Sequence, residues 1–235
     1  MQQFLGKKYK ISLYYRKDEG KQKMKEKVKE FIVKNLKWII LFICLIEFLA
    51  IAEDVFNKEI MNGDIVGYKL ISTFLISDFA TPIAKFITNF GGAIFLTILT
   101  IILFILIKNK KIGVSIFSNL VIITALNQLL KNILQRPRPT EYRIIEETGY
   151  SFPSGHSMIS MAFYGYIIYL IYKYVTNKYI KWISIVLLSI LICSIGISRI
   201  YLGVHYTSDV LGGFSISISY LVIYISAVNK FLIEK

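Results

Sequence analysis

Apolar stretches long enough to cross a bilayer alternate with short charged segments along most of this chain. About 20 apolar residues span the hydrocarbon core as a helix, so this alternation is typical of a multi-pass membrane protein. The predicted spans cover residues 36–52, 91–107, 114–130, 154–172, 182–197 and 210–228. With no internal repeat or second domain evident, we predict an all-α fold, an integral membrane bundle of six transmembrane helices over residues 36–230.

Two parts of this pattern are ambiguous. Glu47 interrupts the first span, and an ionisable group at that depth must face protein or water. Residues 53–89 form a long connection of mixed polarity, in which 65–76 is too short and, with Lys69 inside it, too polar for a span. We predict an interfacial or re-entrant helix there, and a second span that could begin as early as Pro82.

Composition supports a membrane protein and limits the other classes. The hydrophobic fraction is 55% and the mean hydropathy is +0.57, although the formal net charge is +13. The chain has two cysteines, Cys44 and Cys193, both inside apolar stretches. We interpret them as small buried hydrophobic residues rather than as a disulfide or metal ligands. No metal and no cofactor is predicted.

Much of the positive charge lies in residues 1–35, a basic N-terminal arm. Residues 1–37 carry eleven lysines and Arg16 against four acidic residues. We predict a cytoplasmic arm lying on the anionic inner leaflet, and a merely solvated tail is the alternative. No recognition motif accompanies the charge, so a nucleic-acid partner is not predicted.

The distribution of cations predicts the orientation. With both termini in the cytoplasm, the inner segments carry 20 of the 28 lysines and arginines, and five of the other eight lie in loops with candidate chemistry. Positive charge accumulates on the cytoplasmic side of membrane proteins. We therefore predict a multi-pass protein of the cytoplasmic membrane, with both termini cytoplasmic and the candidate site on the outer face.

Three polar blocks adjoin the predicted outer ends of spans, at residues 131–139, 153–156 and 198–209. A compact bundle can bring them together, and their cations are suited to a phosphate dianion. Arginine binds phosphate oxygens through two parallel N–H bonds. Lys131, Arg138 and Arg199 are the candidate phosphate-binding cations.

The second block supplies backbone donors. Ser154 is a candidate N-cap of the fourth span, and Gly155 lets an anion approach the backbone. The N-terminus of a helix, with its free N–H groups, is an anion site. Ser154 and Gly155 are therefore candidate phosphate-binding residues.

The two histidines of the chain are the candidates for catalysis. Neutral His205 can attack phosphorus if its other ring nitrogen donates to Asp209, four residues further on. The leaving group needs a proton, and His156 is the other histidine available. Arg136, two residues before Arg138, is assigned no catalytic role, and Tyr206 is interpreted as an anchor at the membrane interface.

The blocks KNILQRPRP, PSGH and SRIYLGVHYTSD resemble the three-part signature of the type 2 phosphatidic acid phosphatases, which vanadium haloperoxidases share. The resemblance implies a six-helix membrane core and a metal-independent reaction through a phosphohistidine. In it His205 is the nucleophile, Asp209 its partner and His156 the acid. The phosphate binders implied are Lys131, Arg138, Ser154, Gly155 and Arg199. Thr207 stands where many bacterial members have proline.

These features predict hydrolysis of lipid phosphates or diphosphates at the outer face of the membrane. Undecaprenyl diphosphate is the first substrate expected, followed by phosphatidylglycerol phosphate or phosphatidic acid. The partners are then a membrane lipid phosphate and the bilayer, with the oligomeric state left open. A lipid-dependent phosphotransferase uses the same residues and stays an alternative, as does a non-enzymatic membrane transporter or anchor. A vanadate-dependent haloperoxidase is disfavoured by the six apolar spans.

Overall fold

The computed structural model describes residues 2–59 and 61–233, with side chains for 24–59 and 61–232. All regular secondary structure in these residues is helical, so the prediction of an all-α fold is confirmed. The helices are α1 Gln2–Phe56, α2 Asn62–Leu75, α3 Ala80–Asn89, α4 Ala93–Leu106, α5 Lys110–Leu134, α6 Gly155–Tyr174, α7 Lys178–Tyr201 and α8 Thr207–Val228. A short π-helix, Asn229–Ile233, follows α8.

The chain divides into two compact units, residues 1–40 and 41–235. In the first unit the described residues are helical, and Val28, Phe31, Ile32 and Val33 expose their apolar side chains. Exposed apolar residues on a basic helix are a feature of helices that bind membrane surfaces. The role of the 1–35 arm and its boundary with a 36–230 domain stay predictions.

Three of the described helices are long and apolar enough to cross a membrane, namely α5, α7 and α8 extended to Leu232. A fourth crossing results if α3 and α4 form one span with a 49° bend, which agrees with an early start of the second span. α1 contains Glu47, and the apolar residues of α6 alternate with serine, glycine and tyrosine residues. The count of six spans therefore stays a prediction for these two helices.

The segment of mixed polarity forms α2, whose 14 residues are too few to cross a bilayer. One side of α2 exposes apolar residues, including Ile65, Leu70 and Phe74, whereas Asp64 is buried. An amphipathic helix of this kind suits the membrane interface, which stays the predicted location.

The core of the second unit forms around α6, which packs against α5, α7 and α8. Its main hydrophobic cluster includes Phe163, Tyr166, Ile195 and Leu221. The first turn of α6 lies close to α8. A Cβ atom at Gly213 would lie 3.2 Å from the carbonyl oxygen of Ser154 and 3.3 Å from the nitrogen of Met158, so the glycine permits this approach. The start of α6 is thereby fixed beside the start of α8.

Candidate active site

The three polar blocks come together at one end of the bundle formed by α5–α8. The end of α5 leads into the loop 135–154, α6 begins at Gly155, and the turn 202–206 joins α7 to α8. Backbone hydrogen bonds tie these segments together. The Ser154 N–H donates to the Asp209 carbonyl at 3.0 Å, and the Ser151 N–H donates to the Arg136 carbonyl at 2.8 Å.

His205 lies in the turn before α8 and is 3% exposed. Its Nδ1 lies 3.2 Å from Asp209 Oδ2, and its Nε2 lies 3.0 Å from Arg138 Nη1. A guanidinium can only donate, so Nε2 must accept this hydrogen bond and the ring proton sits on Nδ1, facing Asp209. The geometry therefore selects the tautomer with its lone pair on Nε2, which can attack phosphorus once Arg138 exchanges this contact for a phosphate oxygen.

Asp209 is fully buried and both of its carboxylate oxygens are occupied. Oδ1 accepts from Arg136 Nη1 at 2.6 Å, while Oδ2 accepts from His205, from Ser151 Oγ and from the Tyr206 N–H. The bond from Tyr206 is an N-terminal cap, because Tyr206 precedes the first residue of α8. Asp209 thus orients His205 and also caps the N-terminus of α8, the helix that contains Asp209.

The pKa of His205 falls from 6.5 to about 4 because burial removes the imidazolium from water, while Asp209 partly opposes this and Arg138 adds to it. His205 is consequently neutral at pH 7, as a nucleophile must be. As the pH falls through about 4 the ring gains a proton and loses its nucleophilic lone pair.

We expect nitrogen NMR of ¹⁵N-histidine-labelled protein in micelles to show that the His205 ring stays neutral down to about pH 4. The chain has only two histidines, so the His205→Ala variant assigns the signals. At low pH, kcat/KM corrected for ionisation of the substrate should decline as the His205 ring gains a proton. Titration of His205 near pH 6.5 would contradict the burial and tautomer described above.

Two of the predicted phosphate-binding cations contact the loop between α5 and α6. Lys131 donates from Nζ to the carbonyl oxygens of Tyr150 and, at 3.3 Å, of Ser151. Arg138 donates to the carbonyls of Thr148 and Gly149 at 3.0 Å each, in addition to its contact with His205. Both cations are therefore held by neutral acceptors that a charged phosphate oxygen can replace.

Arg199 is 1% exposed and binds a carboxylate from the same loop. Its Nη2 lies 2.5 Å from Glu147 Oε1, its Nη1 donates to Thr88 Oγ1 at 2.8 Å, and its buried Nε has no hydrogen-bond partner among the described residues. Burial opposes ionisation of Glu147, but Arg199 outweighs it and holds the pKa of this carboxyl below its usual value. The Glu147 carboxylate thus binds Arg199, a residue that is predicted to bind the substrate phosphate.

The second block begins α6 as predicted. Ser154 is the N-cap and accepts a hydrogen bond from the Ser157 N–H at 3.4 Å. A Cβ atom at Gly155 would lie 3.1 Å from Asn127 Oδ1 and 3.9 Å from Lys131 Cε, so this turn lies directly beside the lysine. The N-terminus of α6, where an anion can bind, therefore lies next to the Lys131 side chain.

His156 occupies the first turn of α6, beside the break between α3 and α4. A Cβ atom at Gly91 would lie 3.3 Å from His156 Cδ2, so the break packs against the imidazole. The ring is within electrostatic reach of Arg199 and His205. The structure thus brings His156 into the same neighbourhood as the other predicted residues.

Sequence reasoning missed several residues of this neighbourhood. Arg136, which received no role, is 9% exposed and forms ion pairs with both Asp209 and Asp64. Its guanidinium also lies 4.0 Å from the ring centre of Tyr206, which is therefore more than an interface anchor. The position of Arg136 two residues before Arg138 is a signal that could have raised it as a candidate.

A cavity of about 1110 Å³ adjoins the nucleophile. It is bounded by the end of α1, by α2, by residues 135–137 and 139–142 and by the turn before α8, and His205 and Tyr206 form part of its wall. Lys58 and Lys69 also line it. The space is large enough for a polar headgroup next to His205.

No group of three or more histidine, cysteine, aspartate and glutamate side chains in residues 2–59 and 61–233 is arranged to hold a metal ion. The cations clustered around His205 would repel a divalent ion. Independence of metal stays a prediction, which a chelator can test.

Comparison with known proteins gives concordant relationships. Residues 110–233 match the model of the PAP2 superfamily. The chain is 41% identical over 95 residues to phosphatidylglycerophosphatase B of Bacillus subtilis, covering 40% of this chain and 46% of that protein. It is 27% identical over 192 residues to undecaprenyl-diphosphatase of Sulfolobus acidocaldarius, covering 77% and 85%.

A solved structure shares the fold. The crystal structure of a transmembrane PAP2-type phosphatidylglycerolphosphate phosphatase from Bacillus subtilis superposes with a TM-score of 0.72 at 27% identity. The match covers 81% of this chain and 96% of that one, so it extends well beyond the three blocks.

Proposed function

Because the chain belongs to the PAP2 superfamily, we propose that it is an integral membrane phosphatase that hydrolyses lipid phosphates or diphosphates through a phosphohistidine on His205. The observation that carries this proposal is the pairing of His205 Nδ1 with Asp209 at 3.2 Å, which leaves Nε2 facing Arg138. Both relatives named above are lipid phosphatases or diphosphatases by name.

In the first step Nε2 of His205 attacks phosphorus and the bond between phosphorus and the leaving oxygen breaks. The bound phosphate dianion favours the protonated form of His156, which donates its proton to that oxygen, while Asp209 stabilises the positive charge that develops on His205. In the second step neutral His156 takes a proton from water, the hydroxide attacks phosphorus, and the P–N bond breaks to release phosphate. The enzyme returns to its starting protonation state.

Substrate binding requires an exchange of partners at the cations. Lys131 and Arg138 leave the loop carbonyls they now contact and bind phosphate oxygens, to which they are bound more strongly because those oxygens are charged. The phosphate also competes with the carboxylate of Glu147 for Arg199. Movement of the loop 147–151 therefore accompanies binding.

Undecaprenyl diphosphate is our first proposed substrate, followed by phosphatidylglycerol phosphate and phosphatidic acid. The alignment to the diphosphatase extends over more of both chains, which supports the first, whereas the closer local identity and the structural match support the second. In each case the apolar tails stay in the bilayer and the headgroup reaches the cavity beside His205.

The function is tested by phosphate release from a panel of these lipids, using purified protein in detergent with EDTA and no acceptor lipid. We expect release from at least one lipid, inhibition by vanadate and none by the chelator, with the His205→Ala variant as the inactive control. Loss of activity in EDTA that Mg²⁺ restores would contradict the mechanism. Phosphate release that depends on an added acceptor would indicate a phosphotransferase.

The proposed outer location of the site has its own test. Thr140 and Thr176 are both exposed and lie in segments that we assign to opposite sides of the membrane. In a background without Cys44 and Cys193, we expect an impermeant thiol reagent on intact cells to label Thr140→Cys and not Thr176→Cys. Both should be labelled after permeabilisation. The reverse pattern on intact cells would place the site in the cytoplasm.

A further inference from the structure

A second carboxylate reaches the candidate site from outside the segment that matches the family. Asp64, in the first turn of α2, is 7% exposed, although it is an acidic residue on a short amphipathic helix. The family match begins only at residue 110. A buried carboxylate needs compensating donors, and all of those found for Asp64 come from residues next to the catalytic pair.

The partners of Asp64 are Ser208 and Arg136. Oδ1 accepts from the Ser208 N–H at 2.8 Å, and Oδ2 accepts from Ser208 Oγ at 2.9 Å and from Arg136 Nη2 at 2.7 Å. Ser208 is in the first turn of α8, where backbone N–H groups have no partner within the helix. Asp64 therefore caps the helix that carries Asp209, from a different element.

Arg136 links the two carboxylates. Its Nη2 binds Asp64 and its Nη1 binds Asp209 Oδ1 at 2.6 Å, so each arm of the guanidinium holds one acid. Arg136 consequently takes one oxygen of Asp209, and the other stays with His205. An arginine without a second acid favours a bidentate pair with both oxygens of one carboxylate. Such a pair would draw Oδ2 of Asp209 away from His205 Nδ1.

We propose that Asp64 is a positioning residue of the reaction: through Arg136 and Ser208 it holds the Asp209 carboxylate in the orientation that aligns His205. This inference rests on the proposed function. It assigns to α2, a helix outside the matched segment, a part in the chemistry. Asp64 lines the cavity next to His205 but makes no contact with the predicted phosphate-binding cations among the contacts described for it, so its effect should appear mainly in turnover.

The test is Asp64→Asn, which keeps the size of the side chain and removes its charge. We expect kcat to fall about 10- to 100-fold, the scale of loss when reacting groups are misplaced, with KM within about threefold of wild type. Asp78→Asn is the matched control, since Asp78 is exposed in the segment after α2 and should retain wild-type kinetics. Vanadate titration of the protein counts the competent sites, so that kcat can be given per site.

Coupling to Arg136 distinguishes positioning from a purely structural role. Arg136→Lys keeps the charge but cannot hold both acids with a planar fork. We expect it to lower kcat as Asp64→Asn does, and the double variant to lose less than threefold more. Ser208→Ala, which removes one hydroxyl between Asp64 and Arg136, should give a smaller loss of kcat and serves if Asp64→Asn does not fold.

Three results separate the possible failures. An unchanged kcat per site in Asp64→Asn, or fewer vanadate sites with unchanged kcat per site, would overturn the positioning role. Multiplicative losses in the double variant would show that Asp64 does not act through Arg136, which also overturns it. Full activity in His205→Ala would instead overturn the proposed function, whatever the Asp64 variants do.

Discussion

Replacing His205 with alanine should abolish phosphate release, with kcat at least about 10⁴-fold below wild type. The reason is that the variant has lost the atom that bonds to phosphorus, and loss of a nucleophile removes most of the rate enhancement of a covalent mechanism. The measurement is the steady-state rate on a lipid monophosphate and on a lipid diphosphate. Both should be lost together, because both pass through the same bond.

The variant needs a control for folding, since His205 is buried and hydrogen-bonded. His205→Gln fills more of the same space without providing an imidazole, and we expect it to be equally inactive. Elution as a single species in detergent shows that each variant is folded. A rate within about tenfold of wild type in either variant would exclude His205 as the nucleophile.

Replacing His156 with alanine should have a large effect that depends on the leaving group. A lipid monophosphate leaves as a poorly stabilised alkoxide and needs a proton, whereas an activated aryl phosphate leaves as a stable anion. We expect kcat/KM to fall by about 10²- to 10⁴-fold for the lipid, the usual contribution of general acid catalysis. The loss for the aryl phosphate should be much smaller, and a diphosphate should lie between them.

The contrast between substrates is the informative quantity, because a misfolded variant loses activity on all of them equally. Asp209→Asn provides the comparison, since it misorients His205 and should slow both substrates by a similar factor. An equal loss for the lipid and the aryl phosphate in His156→Ala would contradict the assignment of His156 as general acid.

The features that could be predicted from the sequence are those indicated by residues close together in the chain. Helical fold class follows from apolar stretches that only a helix can carry through a bilayer. The link between His205 and Asp209 follows from their spacing of four residues, and the cap at Ser154 follows from its position before an apolar run. The structure places all of these as expected, although α1 and α6 are not among the described helices that are long and apolar enough to cross a membrane.

The contacts that were missed join residues far apart in the sequence. Asp64 lies 72 residues before Arg136, in a segment whose polarity pattern does not determine its position. Glu147 contacts Arg199 across 52 residues, from an irregular loop in which no periodicity indicates which side chains point inward. Arg136 was passed over because Arg138 fits the family spacing, and nothing local distinguishes a cation that holds phosphate from one that holds a carboxylate.

The most direct test of the central claim is to locate the transferred phosphoryl group. The His156→Ala variant is mixed with a ³²P-labelled activated aryl phosphate, because this substrate can form the phosphoenzyme without a general acid. In the same variant, attack of water on the phosphoenzyme is slowed. The reaction is stopped in alkaline detergent, since phosphohistidine is labile in acid, and the labelled peptide is identified by mass spectrometry. We predict the phosphoryl group on His205 and no labelled peptide from a His156→Ala/His205→Ala double variant. Label on another residue, or label that persists in the double variant, would contradict the proposed mechanism.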